Sequence, residues 1–331
     1  MPELRKDPTV GRWVIVATER VRRPSDFLRP RAPRRGGPCA LCAGHERETP
    51  PELLAIRDGG DPVADGPGWR VRVVPNKFPA LRVEGDLERR GQDMYDLMNG
   101  VGVHELVVPT PEHDHTLGML PVSAVEEVLR ACRDRILDLK QDDRLRAMVL
   151  FETHGVDAGA TLEHPHLQLI AAPVVPFGLT GEIEHARAYH DYRERCLFCD
   201  MLRQEMDARL RLVVETPQVI AFTPFAAALP FETWILPRRH LAAFEHTEAG
   251  ELRELARVLR TVLRKLDRAI GDPAYSLLLH SAPFGGSESP SFHWHIEVSP
   301  ALARSTTLRG GFPVNPMPPE DAARFLRDTP E

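Results

Sequence analysis

No apolar run in this 331-residue chain approaches the roughly 20 residues needed to cross a bilayer. The first seven residues are charged and lack the apolar stretch of a secretory signal, so a cytoplasmic location and no membrane partner are expected. An excess of positive charge is missing too. The formal net charge of −6 argues against general nucleic-acid binding, although Arg20, Arg22, Arg23, Arg29, Arg31, Arg34 and Arg35 form a local basic run. That run is either a phosphate-holding segment or a solvated loop rich in Arg and Pro. Cysteine is scarce, and five residues in an untargeted chain do not point to a disulfide framework. What the composition does offer, 42% hydrophobic and 27% charged residues, is that of a globular protein able to bury a core, with length for two domains.

Four of the five cysteines fall into two Cys-x-x-Cys pairs, Cys39/Cys42 and Cys196/Cys199, for which metal is the better reading. Cys132 sits alone in a helical pattern and reads as a small buried hydrophobe. After the first pair come strands expected at 70–74 and 104–109, then His113, then a helix with Ser123 as its N-cap. That helix carries Val125, Val128, Leu129, Cys132, Ile136 and Leu139 on one face. A strand at 147–152 and the triplet His164-Pro165-His166 follow. After the second pair come strands at 218–223 and 232–236, then His240. A helix with Leu252, Leu255, Leu259, Val262, Leu263 and Leu266 on one face closes at Gly271. A strand at 275–279 then precedes His293-Trp294-His295. The order Cys-x-x-Cys, His, helix, strand, His-x-His therefore occurs twice, which implies a duplicated α+β unit. Short alternating strands with hairpin-length connections favour antiparallel sheets, each covered by a helix. The join is expected near 173–184, giving units 1–178 and 179–331.

A tetrahedral structural zinc takes about four soft or borderline ligands. Cys39, Cys42, a histidine near position 113 and His164 supply such a set in the first unit. Cys196, Cys199, His240 and His293 supply one in the second. Spacing alone does not separate His113 from His115. One zinc shared by all four paired cysteines, or reduced metal-free thiols, are the competing readings.

Strand alternation across 164–168 places His164, His166 and Gln168 on one face, and the preceding 155–162 segment is a loop of small residues including Gly159 and Thr161. Such a loop lets backbone N–H groups approach a phosphate, with the Thr161 hydroxyl as a further donor. His166 then has what a nucleophile needs: a neutral imidazole whose tautomer is fixed if its other nitrogen donates to a carbonyl. Gln168 bears on the reaction, because a departing sugar phosphate is a stable anion that needs hydrogen bonds and no proton donor. Glutamine donates without titrating. In the second unit Glu297 takes the place of Gln168 and Trp294 that of Pro165, so only the first unit is expected to be catalytic.

The string His164-Pro165-His166-Leu167-Gln168 resembles the His-x-His-x-Gln signature of the galactose-1-phosphate uridylyltransferase family, the transferase branch of the histidine-triad proteins. The likeness spans nearly the whole chain. Residues 7–16 and Arg20-Val21-Arg22-Arg23-Pro24 resemble the family's opening strand and its phosphate and nucleotide segment, which implies roles for Arg20 and Arg23. Val74-Pro75-Asn76-Lys77-Phe78-Pro79 resembles the motif whose asparagine, here Asn76, contacts nucleotide. Thr110-Pro111-Glu112-His113 resembles the segment of the metal histidine, which selects His113 over His115.

The resemblance implies a ping-pong exchange in which His166 takes the uridylyl group from UDP-glucose and galactose 1-phosphate then collects it. It also implies a homodimer that binds a nucleotide sugar and a sugar 1-phosphate, and two metals per chain. The first metal is zinc. The second is zinc or another divalent ion such as iron, whose site in relatives can be a glutamate and three histidines; here those would be Glu182, His280, His293 and His295. The Cys196/Cys199 pair favours the zinc version. Thr153 stands where the family usually has a phosphate-contacting asparagine, and His154-Gly155 with the 158–162 loop is closer to the related ADP-glucose phosphorylases. The stretch 310–316 lacks several residues that relatives use to hold the sugar phosphate. A nucleotide-sugar phosphorylase, a dinucleotide hydrolase (disfavoured by Gln168) and a non-catalytic zinc-stabilised binding module are the alternatives.

Overall fold

The apolar periodicities resolve into strands and helices in the order the repeat implies. The computed structural model describes residues 1–17, 24–27, 36–59, 63–302, 306–308 and 311–331. Its strands are β1 (Glu3–Lys6), β2 (Trp13–Val16), β3 (Leu54–Arg57), β4 (Trp69–Pro75), β5 (Arg90–Gln92), β6 (Tyr95–Leu97), β7 (Val103–Val108) and β8 (Ala147–His154). They continue as β9 (Leu167–Ala172), β10 (Leu212–Glu215), β11 (Val219–Phe222), β12 (Thr233–Pro237), β13 (Tyr275–His280), β14 (His295–Pro300), β15 (Thr306–Leu308) and β16 (Phe312–Asn315). The α-helices are α1 (Val122–Leu139), α2 (Phe177–Arg193), α3 (Leu197–Ala208), α4 (Ala249–Ile270) and α5 (Pro319–Asp328).

Ten strands form one sheet in the order β10-β11-β12-β14-β13-β8-β9-β7-β4-β3, and each pairing in it is antiparallel. It divides into two five-stranded halves of matching order, β3-β4-β7-β9-β8 and β10-β11-β12-β14-β13. The duplicated α+β unit is there, but its two sheets are not separate. Strands β8 and β13 join them, with Thr153 opposite Ser276 and Leu150 opposite Leu279. Each unit thus satisfies the backbone of the strand that would otherwise be the other's open edge.

Helices α1 and α4 lie side by side on one face of this sheet. The α1 residues Val125, Val128, Leu129, Cys132 and Ile136 are buried there with Leu252, Leu255, Leu259 and Val262 of α4. Contrary to the sequence expectation, Ser123 is not the N-cap of α1. Pro121 precedes the helix, and its carbonyl accepts the N–H groups of Ala124 and Val125 at 3.0 and 3.2 Å, which leaves Ser123 inside the first turn. Gly271 does close α4, at φ +72°, a left-handed conformation that costs glycine little.

The opposite face differs between the halves, and this difference positions the site. On the second half, α2 and α3 bury Leu179, Phe198 and Leu202 against Phe222, Trp234 and Leu236. On the first half that face carries the small cluster of Leu41, Trp69, Val74, Leu106 and Val108 beside the Cys39 loop. Helix α2 begins within the 173–184 stretch. A second sheet, β1-β2-β16-β15, brings the C-terminal β16 parallel to β2. No helix among the described residues is long and apolar enough to cross a membrane.

Candidate active site and metal centres

On β9 the residues Leu167, Leu169 and Ala171 face the α1/α4 core, so Gln168 is turned to the opposite face, which no helix among the described residues covers on this half. His166 and His164 just ahead of the strand share that side. Nδ1 of His166 donates to the His164 carbonyl at 2.9 Å, which leaves Nε2 with the lone pair. Burial is the main cause of a pKa below the ordinary imidazole range for His166; the nearby His104 adds to the effect, and the bond to the His164 carbonyl opposes it. Burial likewise pushes His164 down to about 4. Both rings are therefore neutral near pH 7.

The β8/β9 ladder sets Phe151 opposite Gln168 and Glu152 opposite Leu167, and its continuation carries Thr153 to the level of His166. Beyond β8 the chain turns through Gly155 (φ +79°), the short 3-10 turn Val156–Ala158 and Gly159 (φ +91°). A Cβ on Gly155 would lie 2.8 Å from the Ala274 Cβ, so this position admits only glycine without movement of the loop. The loop walls a cavity lined by Thr153, Thr161, His113, His164 and Pro165. A neighbouring cavity shares His113, Thr161 and Glu163 and adds Cys39, Asn76 and Phe78. Thr161 thus lines both cavities, Thr153 the first and Asn76 the second. Gly159 forms the turn and lines neither of these two cavities. Arg20 and Arg23 lie outside the described residues.

The first metal set converges as expected: Cys39, Cys42, His113 and His164 present one ligand atom each within 4.8 Å of one another. Cys42 Sγ is 3.3 Å from His113 Nδ1 and 3.5 Å from His164 Nδ1. His164 Nε2 donates to the Thr110 carbonyl at 2.9 Å, and the Glu163 carboxylate stands 4.0 Å from His113 Nε2. These are the outer-shell partners that aim an imidazole lone pair at a metal. Burial and the adjacent Cys39 push the Cys42 thiol up to about 11, a cost that a bound cation reverses.

The second set, Cys196, Cys199, His240 and His293, repeats this arrangement. Cys199 Sγ lies 3.4 Å from His240 Nδ1 and 3.5 Å from His293 Nδ1, while His240 Nε2 donates to the Ser289 carbonyl at 3.0 Å. A hydrogen bond from Cys199, aided by His240 and His293, holds Cys196 well below the ordinary thiol range. Two soft thiolates with two imidazoles fit zinc in both sets. The alternative of one ion shared by all four paired cysteines is not met, since each pair closes on its own two histidines. His293 belongs to the cysteine set, so the glutamate–histidine grouping expected from relatives is changed: Glu182, His280 and His295 gather with Glu297 instead. There His280 Nδ1 meets Glu182 at 2.9 Å. Burial opposes protonation of His280, but Glu297 and Glu182 raise it to about 9.

The surroundings of this grouping differ from those of His166 and Gln168. His295, the counterpart of His166, is fully buried between Trp234 and His280, with ring centroids 4.9 and 4.5 Å away. Burial raises Glu297, the counterpart of Gln168, to about 8.

One site residue was not anticipated from the sequence. His104, on β7 beside β9, lies with its Nε2 2.9 Å from Gln168 Oε1, and its Nδ1 faces the Ala80 N–H at 3.1 Å. The alternation His104, Leu106, Val108 does place its side chain on the open face, but a single histidine at a strand end carries little signal by itself.

Two family models match this chain. The galactose-1-phosphate uridyl transferase N-terminal domain matches residues 67–176, and the C-terminal domain of the same family matches residues 182–314. Among curated proteins, the ADP-glucose phosphorylase of Arabidopsis thaliana is 31% identical over 99% of the chain and 93% of its own length. The galactose-1-phosphate uridylyltransferase of Thermotoga maritima is 30% identical over 99% of both. Among solved structures, an Arabidopsis thaliana ADP-glucose phosphorylase with bound ADP-glucose superposes with a TM-score of 0.83 at 30% identity, covering 100% of each chain.

Proposed function

This chain belongs to the galactose-1-phosphate uridylyltransferase family, and from that premise we propose that it transfers a nucleoside monophosphate from a nucleotide sugar to a phosphate acceptor through a nucleotidyl-His166 intermediate. The observation that carries the reading is the His166 ring itself: neutral, held through Nδ1 by the His164 carbonyl, and on the open face beside the 155–162 loop. Its Nε2 lone pair attacks the α-phosphorus, and the bond to the bridging oxygen breaks. The sugar 1-phosphate leaves with that electron pair. An oxygen of the acceptor phosphate then attacks the same phosphorus, and His166 departs as neutral imidazole. Gln168 and Thr161 donate hydrogen bonds to the phosphoryl oxygens, and Asn76 contacts the nucleotide. Metals bound at the two cysteine–histidine sets would hold loops in place. Zinc on the first set would fix the Cys39 loop against His164, two residues from the nucleophile. The test is mass spectrometry of the chain after incubation with UDP-glucose or ADP-glucose, in which a nucleotidyl adduct is expected and should disappear on addition of acceptor.

The family's name, galactose-1-phosphate uridyl transferase, favours uridylyl transfer with galactose 1-phosphate as acceptor, for which UDP-glucose is the donor of the first reading. A second reading, phosphorolysis of a nucleotide sugar by inorganic phosphate, is favoured by the C-terminal strand. Its Asn315 is buried and donates to the carbonyls of Ala227 and Leu229 at 3.0 and 3.2 Å, so it serves the scaffold and is not free to hold a sugar. Weak acceptor discrimination follows, since specificity for a hydroxylated ligand comes from groups left unpaired by the wrong one. With preformed nucleotidyl-enzyme, galactose 1-phosphate, glucose 1-phosphate and inorganic phosphate should react at rates within about a hundredfold, or roughly 3 kcal/mol. A larger preference for galactose 1-phosphate would restore the dedicated uridylyltransferase reading.

Gln168→His is expected to raise hydrolysis relative to transfer, because an imidazole can orient water or protonate a poorer leaving group where the amide does neither. Comparing free nucleotide with transfer product in one reaction measures the ratio. An unchanged or lower ratio would contradict this account of the glutamine.

A further inference from the structure

We propose that His104 is a positioning residue that locks Gln168 as a hydrogen-bond donor. This deepens the nucleotidyl-transfer reading and rests on it.

One donor at this ring has a fixed direction. The backbone N–H of Ala80 points at His104 Nδ1, 3.1 Å away, and a backbone amide only donates. Nδ1 must therefore carry the lone pair, and the single ring hydrogen of the neutral form sits on Nε2. That nitrogen lies 2.9 Å from the Gln168 side chain and requires an acceptor there, which Oε1 supplies. Asn76 Nδ2, 3.1 Å from the same ring nitrogen, offers no alternative: Asn76 Oδ1 already holds the Phe78 N–H at 2.9 Å, so Nδ2 is itself a donor. With Oε1 engaged, the Gln168 amide turns its N–H groups to the site. A glutamine free to flip would present either end, and its oxygen would repel a phosphoryl oxygen or accept a hydrogen bond from water.

Adjacent strands build the arrangement. Leu106 lies opposite Gln168 in the β7/β9 ladder, and His104, two residues along on the same face, is the diagonal neighbour that a ring can reach. The Asn76 N–H donates to the His104 carbonyl at 2.8 Å, which ties the end of β4 to the same point. Donor polarity thus runs from the Ala80 backbone through an imidazole and an amide to the substrate phosphate, with no titration step. In the second half Glu297 replaces Gln168, and the relay has no function there.

A double-mutant cycle tests this. In single-turnover transfer at saturating donor, His104→Leu should slow wild-type chemistry by about tenfold while changing the Gln168→Ala background by less than about twofold. His104→Gln, which keeps an N–H donor near the Nε2 position, should recover most of the rate. The share of nucleotidyl-enzyme lost to water should rise in His104→Leu and return in His104→Gln. Equal losses in the two backgrounds, or no rescue by glutamine, would overturn the proposal while leaving His166 as nucleophile. Nitrogen-15 spectra of the wild-type chain give a readout independent of activity and of any variant's folding. A pyridine-type Nδ1 and a pyrrole-type Nε2 are expected for His104, and the reverse tautomer would overturn the proposal. A wild-type chain that forms no nucleotidyl adduct would instead overturn the transfer reading, and this inference with it.

Discussion

His166→Ala should abolish the nucleotidyl adduct and lower nucleotide exchange by about four orders of magnitude or more, the scale on which loss of an activated nucleophile is felt. The fold should survive. His166 is packed at the head of β9, and the one hydrogen bond of its ring among the described residues is to the His164 carbonyl two residues away, so truncation breaks no side-chain hydrogen bond between described strands. Burial that holds the ring neutral gives His166 its lone pair at physiological pH, and the Nδ1 bond aims it; alanine supplies neither. Circular dichroism and thermal unfolding check the fold, and intact-mass measurement after exposure to a nucleotide sugar checks the adduct. Exchange near the wild-type rate in the variant would place the nucleophile elsewhere.

The second large effect concerns metal. Each Cys-x-x-Cys pair closes on two histidines of its own half, so elemental analysis should return two metals per chain, zinc in the first set. Cys39→Ser should lose the first ion and about 4 kcal/mol of stability, or on the order of 10 °C in unfolding temperature. Part of that cost is specific to the empty site: without a cation, burial keeps the Cys42 thiol protonated, and neither its sulfur nor the neutral His164 ring has the ion that the set is arranged to hold. Chemistry at His166 should fall less than stability does, since the ligands hold loops and only His164 adjoins the nucleophile. One ion bound per chain, or two ions that survive loss of Cys39, would overturn the paired-site account.

The duplicated unit, the helix faces and both metal sets were legible because they rest on rare residues recurring in order. Two cysteines and two histidines at matching places constrain a chain far more than any single strand pattern does. The fusion of the two sheets was not legible. Pairing of β8 with β13 depends on which edges meet in space, and neither the alternation in 147–154 nor that in 275–280 names its partner. Ser123 misled for a different reason: it is a good cap residue by type, but Pro121 two positions earlier already sets the backbone for helix entry. The asymmetry of the halves was readable at Gln168 and Glu297, yet its physical basis is tertiary, since α2 and α3 seal the second face and stack Trp234 on His295. His104 was out of reach because its meaning lies in a partner 64 residues away.

The seam between β8 and β13 has a consequence for how this chain can unfold. Its rungs tie residues such as Leu150 and Leu279, well over a hundred positions apart in the chain, and α1 and α4 straddle the same line above it. Severed from the other, either half would bare a full-length strand with unpaired backbone groups along one edge and an apolar stripe beside it, the kind of surface that templates aggregation. Duplication here has therefore not produced two independently stable modules. The halves are expected to open together, and closure must await pairing of segments distant in sequence, the slow kind of contact for a folding chain to make.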